Sequence, residues 1–433
     1  MKKIIFSLYC FLLVINAFSQ DTLNLQAAIE TALKNNFDIQ IAAKDVDVAK
    51  NNIYPGNAGM LPSLSIAAGH SESSNDSKTE LVSGQVIEGT AASSSGTNAS
   101  VSLNYTLFDG FAMFYNYKIL KSTYSLTELQ AKSIMETAIL NLINLYYGAA
   151  QYQQNYDIAI EAVKLSEERV KRIQNLSELG AASKLDLLNA QVDLNTDKAS
   201  LQEVQLSLEN AKRNLNYAMG KNLTENFFLS KNIQVNETLL LEALQTNIES
   251  SNTSVLLAKE DQHYYDLALK LSRAGRFPVL SLSSDYGLNE SRNDAGYMKY
   301  SQSFGFTGGL TLSYALFNGC TVNKNIQNAK ITTEKANLQY NQAVQQAETS
   351  LRNAFATYQN KLNTLKLEKE NVNTAEQNFK KSKDMYDLGQ LTSTQLREAQ
   401  LNLIKSKARI SNAEYTTKIA EAELMQLSGQ LVK

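Results

Sequence analysis

Residues able to do chemistry are few and scattered in this sequence. There are two histidines, His70 and His263, and two cysteines, Cys10 and Cys320. His70 lies beside a strand-like segment and His263 in a helical one, and neither sits in a metal-ligand spacing pattern. No G-x-x-x-x-G-K-[ST] phosphate loop occurs, so any energy for transport must come from another protein. The polar pattern that does recur at a fixed spacing is Ser183-x-x-Asp186 and Thr392-x-x-Gln395, each placed three residues after a glycine, Gly180 or Gly389. Its chemistry is backbone hydrogen bonding. The hydroxyl accepts from an amide three residues on, and the side chain at that third position reaches back to the cap. A left-handed glycine ends one helix and the box starts the next. The two patterns therefore predict two αα-turns and no catalytic centre, and the chain is read as a non-enzyme without a cofactor.

Those turns belong to a duplication. VSLNYTLFDG, Val101 to Gly110, returns as LTLSYALFNG, Leu310 to Gly319, a shift of 310 − 101 = 209. The same shift carries LGAASKLDLLNAQ, Leu179 to Gln191, onto LGQLTSTQLREAQ, Leu388 to Gln400, and Gly220 onto Gly429. Pro62 and Pro278, the two helix-to-strand junctions, differ by 278 − 62 = 216, which assigns seven extra residues to the first hairpin loop. One supersecondary unit was copied in tandem. The first repeat is read as 20–235, with a helix, a strand hairpin over 63–108, a long helix over 111–179, a return helix over 183–219 and a linker. The second is read as 236–433, with a helix, a hairpin over 279–317, a long helix over 320–388 and a return helix over 392–428.

No proline follows Pro278 or falls between Pro62 and Pro278, which permits unbroken helices. Each long helix of about 68 residues spans roughly 100 Å, while the return helix spans only about 54 Å. The helices Leu23 to Ile53 and Leu239 to Ala274 make up the shortfall, so each stacks end to end with a return helix beside the long one. Apolar residues at three- and four-residue steps, such as Val204, Leu208, Ala211 and Leu215, predict coiled-coil-like packing.

The strands alternate. Phe304, Phe306, Leu310, Leu312, Tyr314 and Leu316 are interleaved with Gly305, Thr307, Thr311 and Ser313, and Leu103, Tyr105 and Leu107 with Asn104 and Thr106. Apolar outward and small-polar inward over roughly 10 residues is the pattern of a membrane barrel strand. Leu103, Tyr105, Leu107, Leu310, Leu312, Tyr314 and Leu316 are accordingly expected to face lipid. The Ser/Gly/Asn-rich tracts Ser71 to Gly96 and Asn289 to Ser301 are expected as exposed hairpin loops.

The N-terminus reads as a signal peptide, 1–19: Lys2 and Lys3, an apolar run from Ile4 to Ile15, then Ala17 and Ser19. Its removal takes the stated net charge of −2 to −2 − 2 = −4, and leaves Cys320 alone, without an intrachain disulfide. With 41 Lys+Arg against 43 Asp+Glu and no basic stripe, nucleic acid is excluded as a partner. Two copies supply four strands, which leave two open edges, and the smallest outer-membrane barrels use about eight. The chain must therefore pool strands with copies of itself, in a barrel whose strand number is a multiple of four and whose helices continue as a cylinder. That assembly is a duct.

The mature chain as a whole resembles the TolC family of outer-membrane efflux proteins. The resemblance rests on the duplication, the LPSL lead into a strand, the paired Y-x-L-F-[DN]-G exits, and the paired L-G-x-x-[ST] turns followed by A-Q. It implies an α+β membrane protein: a homotrimer whose long antiparallel helices form an α-helical tunnel across the periplasm of a Gram-negative-type envelope. Four strands per chain would complete a shared 12-stranded β-barrel in outer-membrane lipid. It further implies an exit duct for efflux or type I secretion, docked to a periplasmic adaptor (membrane fusion protein) and an inner-membrane transporter of RND, ABC or MFS type. Docking would fall on the tip turns, Gly180, Ala181, Ser183, Gly389, Gln390, Leu391 and Thr392. The family's acidic ring after the second turn matches Gln395 and Glu398, so one carboxylate remains. Asp186 keeps a carboxylate after the first turn, and Leu391 stands where an arginine helps close the mouth. The competing reading is an exported structural coiled-coil protein without channel activity. It accounts for the helices and leaves the alternation from Phe304 to Leu316 unexplained.

Overall fold

The protein is described here from a computed structural model covering residues 22–230, 233–246, 248–295 and 298–431, so the signal peptide expected at 1–19, Cys10 included, lies outside the described residues. In chain order the elements are β1 (Thr22–Leu23), α1 (Leu25–Asn35), α2 (Phe37–Asn52), β2 (Ser63–Glu80), β3 (Val86–Phe108), α3 (Ala112–Glu178), α4 (Lys184–Ala218) and β4 (Phe228–Leu229). The second half continues with α5 (Leu241–Gln245), α6 (Ile248–Ser251), α7 (Thr253–Ala274), β5 (Val279–Asn293), β6 (Tyr300–Ser313), α8 (Thr321–Asp387) and α9 (Ser393–Leu427). The long helices α3 and α8 have 67 residues each. No helix among the described residues is long and apolar enough to cross a membrane.

Two compact units form. One gathers the described parts of Met1–Lys44, Leu129–Leu256 and Gln342–Lys433; the other gathers Asp45–Glu128 and Leu257–Asn341. Each draws on both sequence repeats, so the copies at 20–235 and 236–433 are interleaved rather than separate domains.

In the first unit the core is helical. Buried Ile139, Leu142, Ile143 and Tyr146 of α3 pack with Ala28 and Ala32 of α1, Leu215 of α4 and Leu229 of β4. Buried Ala347, Leu351, Tyr358, Leu362 and Leu365 follow one face of α8 at three-, four- and seven-residue steps. The segment expected as a linker contributes β4, which pairs in parallel with β1.

The helices before the hairpins are not continuous, contrary to the expected Leu23 to Ile53 and Leu239 to Ala274. They break at Asn36 and Asn252, which are related by 252 − 36 = 216. Asn36 is extended (φ −62, ψ 127); its Nδ2 donates to the Ala218 carbonyl at 2.9 Å and its Oδ1 accepts from the Ile39 amide at 3.2 Å. Asn252 repeats this, donating to the Leu427 carbonyl at 2.8 Å and accepting from Ser254 and Val255 at 3.1 Å. One side-chain amide thus satisfies the orphan carbonyl of a finished return helix and the orphan amides of a new helix. Gly220 (φ 65) and Gly429 (φ 70) sit against these breaks, where a Cβ would meet the Asn35 carbonyl oxygen at 2.3 Å or that of Ser251 at 2.2 Å.

In the second unit the strands form one antiparallel sheet in the order β2-β3-β5-β6, leaving β2 and β6 as edges. The ladders run far into the tracts expected as loops. β2 and β3 pair from Ser63↔Asn104 to Glu80↔Val86, joined only by 81–85, and β5 and β6 pair from Val279↔Ser313 to Arg292↔Tyr300. The expected seven-residue surplus therefore lengthens the ladder instead of a loop. Cross-strand hydrogen bonds satisfy the backbone there whatever the side chains, with a bulge between Asn75 and Ser77 absorbing the irregularity.

Candidate functional site

The two αα-turns are built as the spacing predicts. Gly180 (φ 72) and Gly389 (φ 75) adopt the left-handed conformation after α3 and α8. The Asp186 amide donates to Ser183 Oγ at 3.1 Å and the Ser183 amide to Asp186 Oδ2 at 3.2 Å. The Gln395 amide donates to Thr392 Oγ1 at 3.3 Å and the Thr392 amide to Gln395 Oε1 at 3.0 Å. Asp186 and Gln395 are thus committed to capping. Ala181, Gln390 and Glu398 are exposed, Leu391 is half-buried, and the Glu398 side chain has no hydrogen-bond or ion-pair partner among the described residues.

Next to these turns lies an ionic network that the sequence reading missed. The Arg397 guanidinium grips Asp197 with both forks, Nη1 to Oδ2 at 2.7 Å and Nη2 to Oδ1 at 2.8 Å. Ser166 Oγ donates to Asp197 at 2.5 Å, and Gln400 Nε2 reaches Ser166 Oγ at 3.3 Å. Arg169 pairs with Asp193, whose Oδ2 is also 3.8 Å from Arg397 Nε. Two arginines and two aspartates form a neutral cluster joining α3, α4 and α9, with Arg169, Arg397, Ser166 and Gln400 all buried. Bidentate, charge-assisted contacts of this kind hold geometry tightly, and a lone charge left behind is costly. A second link joins α3 to α8: Arg172 pairs with the Asp387 carboxylate, donates to the Asp387 carbonyl at 3.2 Å, and stacks 4.8 Å from the Tyr386 ring. Leu165, Arg172, Phe379, Lys383 and Tyr386 line a recess of about 240 Å³ there. One signal was available in sequence. Leu396, Gln400 and Leu403 recur on the buried stripe of α9, which puts Arg397 inside and Glu398 outside.

The sheet separates chemistry by face. On one face the register aligns Ile66, Val101, Tyr286 and Phe306, next to Ala68, Ala99, Leu288 and Phe304. Towards the helices the rows are Leu64, Leu103, Ser284 and Gly308, then Tyr105, Leu282 and Leu310, then Phe108, Leu280 and Leu312. Leu312 is 68% exposed and Phe306 71%, so this apolar face is uncovered within the chain. The band from Leu280 to Leu288 covers roughly 30 Å of strand, the length of a tilted membrane strand. It ends at a row of His70, Thr97, Glu290 and Gln302.

Three of the expected lipid-facing residues depart from the ladder. Leu107 has no partner, because the register shifts between Thr106 and Phe108 and gives its place opposite Leu280 to Phe108. Tyr314 and Leu316 lie beyond the last pair, Val279↔Ser313, so the hairpin expected over 279–317 ends at Ser313. The neighbouring strand begins immediately after Pro278, leaving β6 no ladder to continue along. Pro62 and Pro278 each stand directly before a strand, at the two junctions.

His70 is exposed on β2, with Nδ1 2.8 Å from Thr97 Oγ1 and Nε2 3.4 Å from Glu72, a carboxylate two residues on. No group of three His, Cys, Asp or Glu among the described residues could hold a metal. Cys320 is exposed at φ 64, matching Phe111 at φ 71 in the other copy, so it occupies the strand-to-helix corner.

Comparison with known proteins follows the same division into repeats. A family model described as outer membrane efflux protein matches residues 28–221 and again 247–430. The chain is 22% identical over 421 residues to the outer membrane protein TolC of Salmonella enteritidis, covering 94% of this chain and 82% of that one. In fold it is similar to the CmeC outer membrane channel of Campylobacter jejuni, with a TM-score of 0.75 at 17% identity over 94% of this chain and 86% of that one. The outer membrane protein VceC of Vibrio cholerae gives a TM-score of 0.73 at 16% identity, covering 94% and 96%.

Proposed function

Because the chain belongs to the outer membrane efflux protein family, we propose that it is the outer-membrane exit duct of a tripartite efflux or type I secretion system. Three copies share a 12-stranded barrel, and their helices form a tunnel in the periplasm. A periplasmic adaptor and an inner-membrane transporter deliver cargo and energy, and the duct conducts passively. The observation that carries this reading is the sheet, with one exposed apolar face, one small-polar face and two unpaired edges, β2 and β6. Open edges in hydrocarbon leave backbone groups without partners, and pairing β6 of one copy with β2 of the next removes every edge.

The tip turns at 180–183 and 389–392 are the adaptor-docking surface. The periplasmic mouth is held by the Arg397–Asp197 and Arg172–Asp387 links, which stand in for the arginine that Leu391 replaces, while Glu398 supplies the carboxylate ring. The test combines native mass of the detergent-purified protein with planar-bilayer recording. A trimer with discrete conductance steps is expected, and Glu398→Ala should lower cation selectivity. A monomer that forms no channels would leave an exported coiled-coil protein as the reading.

A further inference from the structure

The small-polar face of the sheet carries a single charge. Five successive rows on that face run from the one holding Ser63 and Gly309 to the one holding Ser71 and Ser301. Their residues are serine, threonine, asparagine, alanine and glycine, with one exception, Asp285. It is exposed, it lies in the row of Ser65, Ser102 and Thr307, and Ser102 Oγ donates to its Oδ1, which fixes the carboxylate on the face. A recess of about 640 Å³ opens here, lined by Asn98, Ser100, Asp285, Asn289 and Thr307 among others, and also by Glu290, whose row belongs to the opposite face. The rows to either side add no charge: Ser100, Gly287 and Gly305 lie next to it in one, and Asn104, Ser283 and Gly309 in the other. The duplication does not repeat it either, since 285 − 216 = 69 and that position is Gly69.

We propose that Asp285 determines the charge preference of the barrel lumen, favouring cationic over anionic permeants. The proposal rests on the trimeric duct described above. There, each copy contributes one carboxylate at one height, giving a ring of three in an otherwise uncharged wall. Carboxylate rings select cations through the field they impose on the pore. Three carboxylates about one Debye length (~8 Å) from the pore axis enrich monovalent cations there roughly threefold at physiological salt. Divalent and polycationic permeants are enriched more steeply, because each carries more charge through the same potential.

The experiment is the reversal potential of the full-length protein in planar bilayers under a KCl gradient, with Glu398→Gln measured in parallel to separate any contribution of the tip. The wild type should prefer potassium, and Asp285→Asn should lower the potassium-over-chloride permeability ratio at least about threefold while conductance persists. Adding Thr307→Asp to that variant should restore the preference from the neighbouring strand, which a merely structural role for Asp285 would not allow. If Asp285→Asn fails to insert, Thr307→Lys decides, since an ammonium in the same row must abolish the preference. An unchanged ratio in whichever variant conducts, or a wild type without cation preference, overturns the proposal. A wild type that opens no channels overturns the duct itself.

Discussion

Replacing Arg397 by methionine tests whether the buried ionic cluster holds the helix ends together. The Arg397 and Asp197 side chains are only 9% and 10% exposed. Removing one partner of a buried pair costs about 3–5 kcal/mol, because the remaining charge is desolvated without compensation. Asp197 keeps its bond from Ser166, and Arg169 remains nearby through Asp193, so the lower end, about 3 kcal/mol, is expected. The loss should be local. Native-state hydrogen exchange over residues 193–200 and 396–403 should accelerate about 100-fold, with amides of β3 and β5 unaffected. Asp197→Leu combined with Arg397→Met removes both charges, and an apolar pair of similar volume should recover most of the stability. A double-mutant cycle would then give a coupling of at least about 2 kcal/mol. A coupling below about 0.5 kcal/mol would refute the reasoning and reduce the cluster to a surface ion pair.

Leu312→Arg places a charge in the middle of the apolar face and should cost about 2–4 kcal/mol in the bilayer; trimer yield by native mass checks it, and normal yield would count against the lipid-facing assignment. Gly220→Ala and Gly429→Ala each force a Cβ onto a carbonyl at positive φ and should lower stability by at least about 1 kcal/mol, read by thermal unfolding in detergent; two unchanged midpoints would contradict the close packing at the helix breaks. Burial raises the pKa of Glu414, with Lys369 opposing it. A carboxylate raised in the folded state stabilises only while protonated, so its contribution is lost as pH rises through its unfolded and folded pKa values. Glu414→Gln should therefore stabilise at neutral pH and make no difference below the usual glutamate range; denaturant midpoints at the two pH values decide it, and equal gains at both would dismiss the burial effect.

Local pattern alone determined a large part of this protein. Glycine followed by a capping box specifies an αα-turn through contacts within a few residues, so Gly180 to Asp186 and Gly389 to Gln395 were legible without a fold. Period-two alternation specifies which strand residues share a face, so Leu103, Tyr105, Leu310 and Leu312 were legible too. The duplication supplied the order of the main elements and the four strands of the large sheet, while the short β1–β4 pair was not foreseen. What depends on partners distant in sequence was not legible. Polar Ser71 to Glu80 became strand because another strand answered its backbone, and Leu107 lost its place to Phe108 because the neighbouring strand, β5, set the register. Arg397 is the plainest case. Its sequence neighbours Gln395 and Glu398 drew attention as chemistry, while its own partners, Ser166 and Asp197, stand on two other helices. Only tertiary packing brings those groups within reach, because an ion pair is decided by distance in space, and the sequence of one helix carries no measure of its distance to another.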